Sequence, residues 1–242
     1  KIPMNPFQEK MARLYEKRIL RSAAKLFVMS QNLAEYYRNK YSIDSEVINH
    51  SYIVKNYNEN TKVDNKYFDI VFTGVANIST PWIPILSELI RDLSRDGIRL
   101  RLCLPYVNDM RLDDGIIVEC LDREHVYQAQ KDAGVLFLPM FLSSEYPREI
   151  AQTASPSKLG EYLSSGVPIL VFAPEDSYIS EYATRENWAL VVNGHDKEVL
   201  KRAILRIKNE SVLRKNLVSN ALRVVINHEA QSQSAKIQRF IF

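Results

Sequence analysis

From residue 67 onward, short runs of apolar, β-prone residues alternate with segments of helical periodicity, and that alternation constrains the fold of this chain more than any other feature. Strands are expected near residues 67–73 (YFDIVFT), 98–104, 116–120, 135–139, 168–172 and 188–192. The runs are apolar at nearly every position, as parallel strands covered on both faces require. Between them lie helices with readable limits. Thr80 and Pro81 supply an N-cap and a first-turn residue for WIPILSELIRDLSRD, and Gly97 closes it. Strands and helices in this order predict an α/β chain built on a doubly wound, parallel, Rossmann-like sheet.

Residues 1–56 hold a helix, a strand at 26–30 (LFVMS), a helix (QNLAEYYRNKY) and a second strand-like stretch (EVINHSYIV), which together make one βαβ unit. One such unit cannot bury both faces of its own sheet. It is expected to be the end of a second α/β domain whose beginning lies outside this sequence, and the start at Lys1 suggests a fragment. The polar stretch at 55–66 (KNYNENTKVDNK) has the composition of an interdomain linker. The expected division is therefore 1–56, 57–210 and 211–242, with helices at 196–208, 211–226 and 229–242 finishing the chain.

Composition removes several function classes. An apolar share of 46% is that of a globular protein with a core, and no run approaches the roughly 18 to 20 apolar residues that cross a bilayer. A cytoplasmic location is the expectation, with weak attraction to an anionic membrane surface left open. The balance of 32 basic and 29 acidic residues, dispersed along the chain, does not point to nucleic acid. Cys103 and Cys120 sit in strand-like segments without paired spacing and read as small buried hydrophobes. His50, His125, His195 and His228 show no metal-ligand spacing, so no metal is expected. With seven glycines there is neither a GxGxxG nor a P-loop, which argues against NAD, FAD or any other bound cofactor.

The segment at 155–168, SPSKLGEYLSSGVP, carries the chemistry. Ser155 fits an N-cap, Pro156 the first helical position, and Gly166 with Pro168 the exit into the next strand. Lys158 then falls at the third helical position, where the helix dipole disfavours a cation by about 0.3 to 1 kcal/mol. An anion at the same place reverses that sign. Free backbone N–H groups, the hydroxyls of Ser155 and Ser157 and the Lys158 ammonium would together suit a phosphate or diphosphate. The alternative is a lysine leaning out into water. Glu161 lies one turn on, on the same flank, about 4.5 Å along the helix, a separation comparable to that between a diphosphate and the ribose hydroxyls. A solvated Glu paired to Lys158 is the plainer reading. Gly74, at the end of the first strand of the run, would let a ligand approach the backbone. The connection at 140–154 carries Glu145 and Glu149 beyond a strand C-terminus, where open α/β sheets bind ligands.

The pattern P-x-K-x-x-E-Y-x-x-x-G-x-P within PSKLGEYLSSGVPIL resembles the donor-binding signature of GT-B glycosyltransferases, particularly the family 4-like group of bacterial cell-surface sugar transferases. Further segments are similar to that fold. Residues 25–52 resemble the closing βαβ of its acceptor domain, IVFTGVAN the first strand and turn of its donor domain, and GVLFLPM the strand before the signature loop. The resemblance covers nearly the whole chain, with most of the acceptor domain missing. It implies transfer of a sugar from a nucleotide-diphosphate sugar to a glycan, lipid-linked or other acceptor. Glu161 would hold the ribose hydroxyls, Ser155, Ser157 and Lys158 the diphosphate, and Gly74 the approach of the donor. The sequence has no Asp-x-Asp, in keeping with a fold that sets helix N-termini rather than a metal against the leaving diphosphate.

Two positions depart from the family pattern. Thr153 stands where many members carry a Glu eight residues ahead of the ribose-binding one, and VANISTPW lacks the Arg and Lys that often follow the first glycine turn. A nucleotide-sugar binding module without turnover therefore stays open beside the transferase. A GT-B epimerase would need an acid/base pair that the sequence does not display.

Overall fold

The computed structural model describes residues 5–53, 67–76, 80–106, 115–140 and 147–241. The 55–66 linker, Glu145 and residues 77–79 of the VANIST turn lie outside the described residues.

The large sheet contains β3 (Phe68–Thr73), β4 (Ile98–Leu104), β5 (Ile116–Cys120), β6 (Val135–Pro139), β7 (Ile169–Phe172) and β8 (Ala189–Val192). They lie in the order β5-β4-β3-β6-β7-β8, every pair parallel. The chain thus starts in the middle of the sheet, winds outward to β5, then crosses back over β3 to begin β6. That reversal leaves a topological switch point between the C-terminal ends of β3 and β6, where open α/β sheets open a crevice. Each expected strand is present to within a residue or so at its start.

Helices cover both faces, as the unbroken apolar runs require. On one face α3 (Trp82–Leu93) and α8 (Lys197–Asn209) pack Trp82, Leu86, Ile90, Ile204 and Ile207 against Ile70, Phe72, Leu100 and Phe137. On the other, α6 (Leu159–Ser164), α7 (Tyr178–Glu186) and α9 (Ser211–Val224) bring Leu159, Leu163, Ile179 and Val224 onto Val71, Leu136, Leu138 and Val171. The cover runs out toward the β5 edge. There Arg99 grips the buried Asp69 through two bonds of 2.7 and 2.8 Å, and Arg101 pairs with Glu119 at 2.8 Å. This face of β4 is charged rather than apolar, because ion pairs take the place of a covering helix.

Helix α3 starts a residue later than the Thr80 cap implies. Pro81 already has helical angles, and the Ile83 N–H donates to the Thr80 carbonyl at 3.0 Å. The helix tightens into a 3₁₀ turn at Ser94–Asp96 before Gly97, whose φ of 72° ends it. Cys103 is buried, but Cys120 is exposed, because it closes the edge strand with its thiol turned to the Pro105 carbonyl at 3.4 Å.

The N-terminal residues form α1 (Pro6–Ser22), β1 (Phe27–Val28), α2 (Gln31–Tyr41) and β2 (Glu46–Val47), a small parallel pair rather than the longer strands expected at 26–30 and 46–54. Helix α1 has no buried residue. This unit is held from two sides. The C-terminal α10 (Ala230–Ile241) lies against it, with the Asn49 N–H donating to Gln233 at 3.0 Å and the rings of Phe27 and Phe240 5.8 Å apart. Asn32 on α2 donates to Glu181 on α7 at 2.8 Å. Where these paths meet, Tyr52 bridges to Glu229, and buried His228 sits 3.2 Å from the Tyr182 hydroxyl and 3.3 Å from the His50 carbonyl. Burial holds the His228 imidazole below the usual histidine range. No helix among the described residues is long and apolar enough to cross a membrane.

Candidate functional site

The candidate residues gather beyond the C-terminal ends of β3 and β4, beside the switch point. A cleft opens beyond the strand ends, floored by Thr73, Gly74, Cys103 and Leu104 and walled by Ser157, Lys158 and Glu161 on one side and Leu121, Arg123 and Val126 on the other. Of the five residues singled out in the sequence, Gly74, Ser157, Lys158 and Glu161 line this one cleft.

Lys158 is placed differently from the sequence expectation. Helix α6 begins at Leu159, so Lys158 precedes it and no side chain caps its first turn. The chain tightens first into a turn in which the Leu159 N–H donates to the Pro156 carbonyl at 3.1 Å, a 3₁₀ geometry that delays the α-helix. Ser155 is therefore not a cap. Its hydroxyl is buried and has no partner among the described residues. Among the described residues the N–H groups of Ser157 and Lys158 donate to no backbone group.

The Lys158 side chain folds inward across the end of β3. Its ammonium donates to the Thr73 carbonyl and rests 3.9 Å over the centre of the Phe72 ring. Burial lowers its pKa to about 8, with Glu161 pulling in the other direction. Gly74 makes this path open. Its φ of 133° is one that residues with a side chain rarely adopt, and a Cβ there would sit 2.6 Å from Lys158 Nζ. The glycine expected to admit a ligand thus admits the lysine first.

Glu161 sits on α6 where this cleft meets a second one, lined by Tyr52, Arg123, Val126, Tyr127 and Gln130. Gln130, on α4 (Arg123–Lys131), donates to Glu161 Oε2 at 3.4 Å and to Thr73 Oγ1 at 3.2 Å. Beneath them the Tyr162 hydroxyl accepts the Thr73 N–H at 3.0 Å and the Thr73 hydroxyl at 3.2 Å, and burial pushes its phenol well above the ordinary value. Cys103, in the same floor, has its thiol pushed up to about 11 by burial. It is an inert wall rather than a nucleophile.

The connection at 140–154 contains a short helix, α5 (Arg148–Thr153), that its sequence did not announce. Glu149 lies in its exposed first turn. Thr153 uses its hydroxyl on the Glu149 carbonyl at 2.6 Å, while its own carbonyl accepts from Ser30. Among the described residues no group of three or more His, Cys, Asp or Glu side chains converges as a metal site would. Thr73, Arg123 and Gln130 were not singled out by sequence reasoning, and Tyr162 was quoted only as part of the pattern. They come from three separate elements, β3, α4 and α6, brought together by the winding of the sheet.

A cation at a strand end, a carboxylate one helical turn away and an apolar wall opposite can together receive an anionic, diol-bearing, partly flat ligand. No family model matches the sequence, and no curated protein matches it. Solved structures do. TarM from S. aureus, in a complex with fondaparinux, alpha-GlcNAc-glycerol and UDP, aligns over 95% of this chain and 46% of its own, with a TM-score of 0.68 at 13% identity. Sucrose-phosphate synthase from Thermosynechococcus elongatus aligns over 100% of this chain and 63% of its own, with a TM-score of 0.65 at 16% identity. WaaG, a glycosyltransferase involved in lipopolysaccharide biosynthesis, aligns over 88% and 61%, with a TM-score of 0.60 at 14% identity. The chain spans less than two thirds of each of these proteins, and the likeness is one of fold, that of the GT-B glycosyltransferases.

Proposed function

We propose that this GT-B chain is the donor-binding half of a glycosyltransferase that moves a sugar from a nucleotide-diphosphate sugar to a glycan or lipid-linked acceptor. The observation that carries the reading is the placing of Lys158 and Glu161 side by side on one wall of the cleft, with Gly74 opening the floor between strand end and ammonium. In this reading the Lys158 ammonium, the backbone amides of residues 157 and 158 and the Ser157 hydroxyl receive the diphosphate. Each would bind more strongly as charge builds on the leaving phosphate, which favours the transition state over the bound donor. Glu161 accepts the two ribose hydroxyl protons. Leu104, Leu121 and Val126 give the base an apolar surface.

A second reading, a nucleotide-sugar binding module without turnover, is favoured by Thr153. A threonine offers no carboxylate where the family pattern has a Glu, and its hydroxyl is committed to the Glu149 carbonyl in α5.

Calorimetry with UDP, GDP and their sugars tests the shared premise. One nucleotide diphosphate should bind the parent chain, and Lys158→Ala and Glu161→Ala should each weaken it by roughly 10- to 100-fold, the effect of losing a charge-assisted hydrogen bond. Failure of every nucleotide to bind, or undiminished binding by both variants, removes the reading. Donor turnover with added acceptor by the protein carrying its complete acceptor domain separates transferase from binding module.

A further inference from the structure

Thr73 is the meeting point of the cleft. Its carbonyl takes the Lys158 ammonium, its N–H and hydroxyl go to Tyr162, and its hydroxyl oxygen accepts from Gln130. Gln130 is 1% exposed, a position that packing alone would fill with Leu or Met. A buried amide persists where its hydrogen bonds are needed. Here its Nε2 divides between Thr73, fixed in the sheet, and Oε2 of Glu161, at the mouth of the cleft.

We propose that Gln130 is a positioning residue for the nucleotide: it ties one Glu161 oxygen to the end of β3 and leaves the other aimed at the ribose diol. This rests on the reading of Glu161 as the ribose ligand. Gln130 makes no bond to Lys158, so its influence belongs to the ribose side of the cleft and not to the diphosphate side.

Two titrations separate those sides: the nucleotide diphosphate that the parent chain binds best among UDP, GDP and ADP, and inorganic pyrophosphate. Gln130→Met keeps the length and apolar bulk of the side chain and removes the amide. It should weaken the nucleotide by roughly 5- to 20-fold, the effect of one hydrogen bond to a charged group, and leave pyrophosphate within about twofold of the parent. Gln130→Glu puts a second carboxyl group against Glu161, and two such carboxylates do not both ionise freely. Relative to the parent, whose profile carries the ligand's own phosphate ionisation near pH 6, nucleotide affinity in this variant should fall as pH rises from about 5 to 7.5. That difference carries the test if Gln130→Met fails to fold. Equal weakening of both ligands by Gln130→Met, or no change in either, overturns the proposal, as does a Gln130→Glu whose pH profile matches the parent's. If Glu161→Ala weakens the nucleotide while the Gln130 variants do not, the ribose reading stands and the positioning role falls. If Glu161→Ala is without effect, both fall.

Discussion

Lys158 has its ammonium withdrawn from water before any ligand arrives, and this gives it a pH dependence that an exposed lysine would lack. Its pKa is lowered to about 8, and a bound diphosphate, by favouring the charged form, must raise it. The ratio of parent to Lys158→Met affinity for pyrophosphate, from which the ligand's own ionisation cancels, should therefore be flat below pH 8 and decline above it, by at most about tenfold per unit. Lys158→Met should bind more weakly at pH 7. A ratio that stays flat to pH 9.5 would contradict the placement. Stability carries the opposite signature. Between pH 8 and the unfolded value of 10.5 the unfolded chain holds a proton that the folded chain has released, so this residue's contribution rises with pH through that window. Cys103, raised from 9.0 to about 11, works against it above pH 9, so the parent must be compared with Lys158→Met rather than read alone. The charged pair was legible in the sequence because Lys158 and Glu161 sit three residues apart on one short element. Gln130, Thr73 and Tyr162 were not. Their bonds join residues 31, 57 and 89 positions apart, and no local pattern encodes a contact made by the winding of the sheet.

Among the elements, α6 shows where sequence signals and packing diverge. Ser155 and Pro156 announce a helix start, yet the tight turn through residues 157 and 158 delays it, and the shift decides which way Lys158 points. The helix exit at Gly166 was readable from its breakers. The turn was not, because a 3₁₀ start uses the same residues as an α start. Gly160 is a second case. In a helix interior Ala is preferred over Gly by about 1 kcal/mol, so propensity alone predicts that Gly160→Ala stabilises the protein. Geometry predicts the reverse. A Cβ there would lie 2.8 Å from Tyr52 Cβ, and the Tyr52 backbone is tied to His228 by a 2.8 Å bond and to Ala230 by one of 3.1 Å, so the neighbour is not free to yield. We expect Gly160→Ala to destabilise the chain by about 1 to 3 kcal/mol, measured by denaturant unfolding, through overpacking of the contact between α6 and the 51–53 segment. A stabilised variant would show that this segment is loosely held.

At the scale of the whole molecule, the sheet and the N-terminal unit should differ in how they open. The parallel sense of the strands was implied by the alternating pattern, since each helix returns the chain to the same end of the sheet, but their order was not. The sizes of the two units were less legible, because burial depends on neighbours distant in sequence. Leu136, Phe137, Leu138 and all four residues of β7 are fully buried between two helical layers. By contrast β1 and β2 are two residues each, and α1 buries nothing. What holds the N-terminal unit is a set of contacts to α10, α7 and α5, made chiefly by single side chains. Local opening follows the amount of buried apolar contact, so amides of β1 and β2 should exchange with solvent at a lower opening free energy than those of β6 and β7, which report global unfolding. Removal of residues 230–242 sharpens the contrast. Without Gln233, Lys236 and Phe240, the amides of residues 27–28 and 46–49 should lose protection and become open to proteolysis, while β6 and β7 keep most of theirs. Hydrogen exchange read by mass spectrometry on both chains gives the answer directly. If the truncation strips protection from β6 and β7 to the same degree, the C-terminal helix is part of the central core, and the two units are one cooperative body.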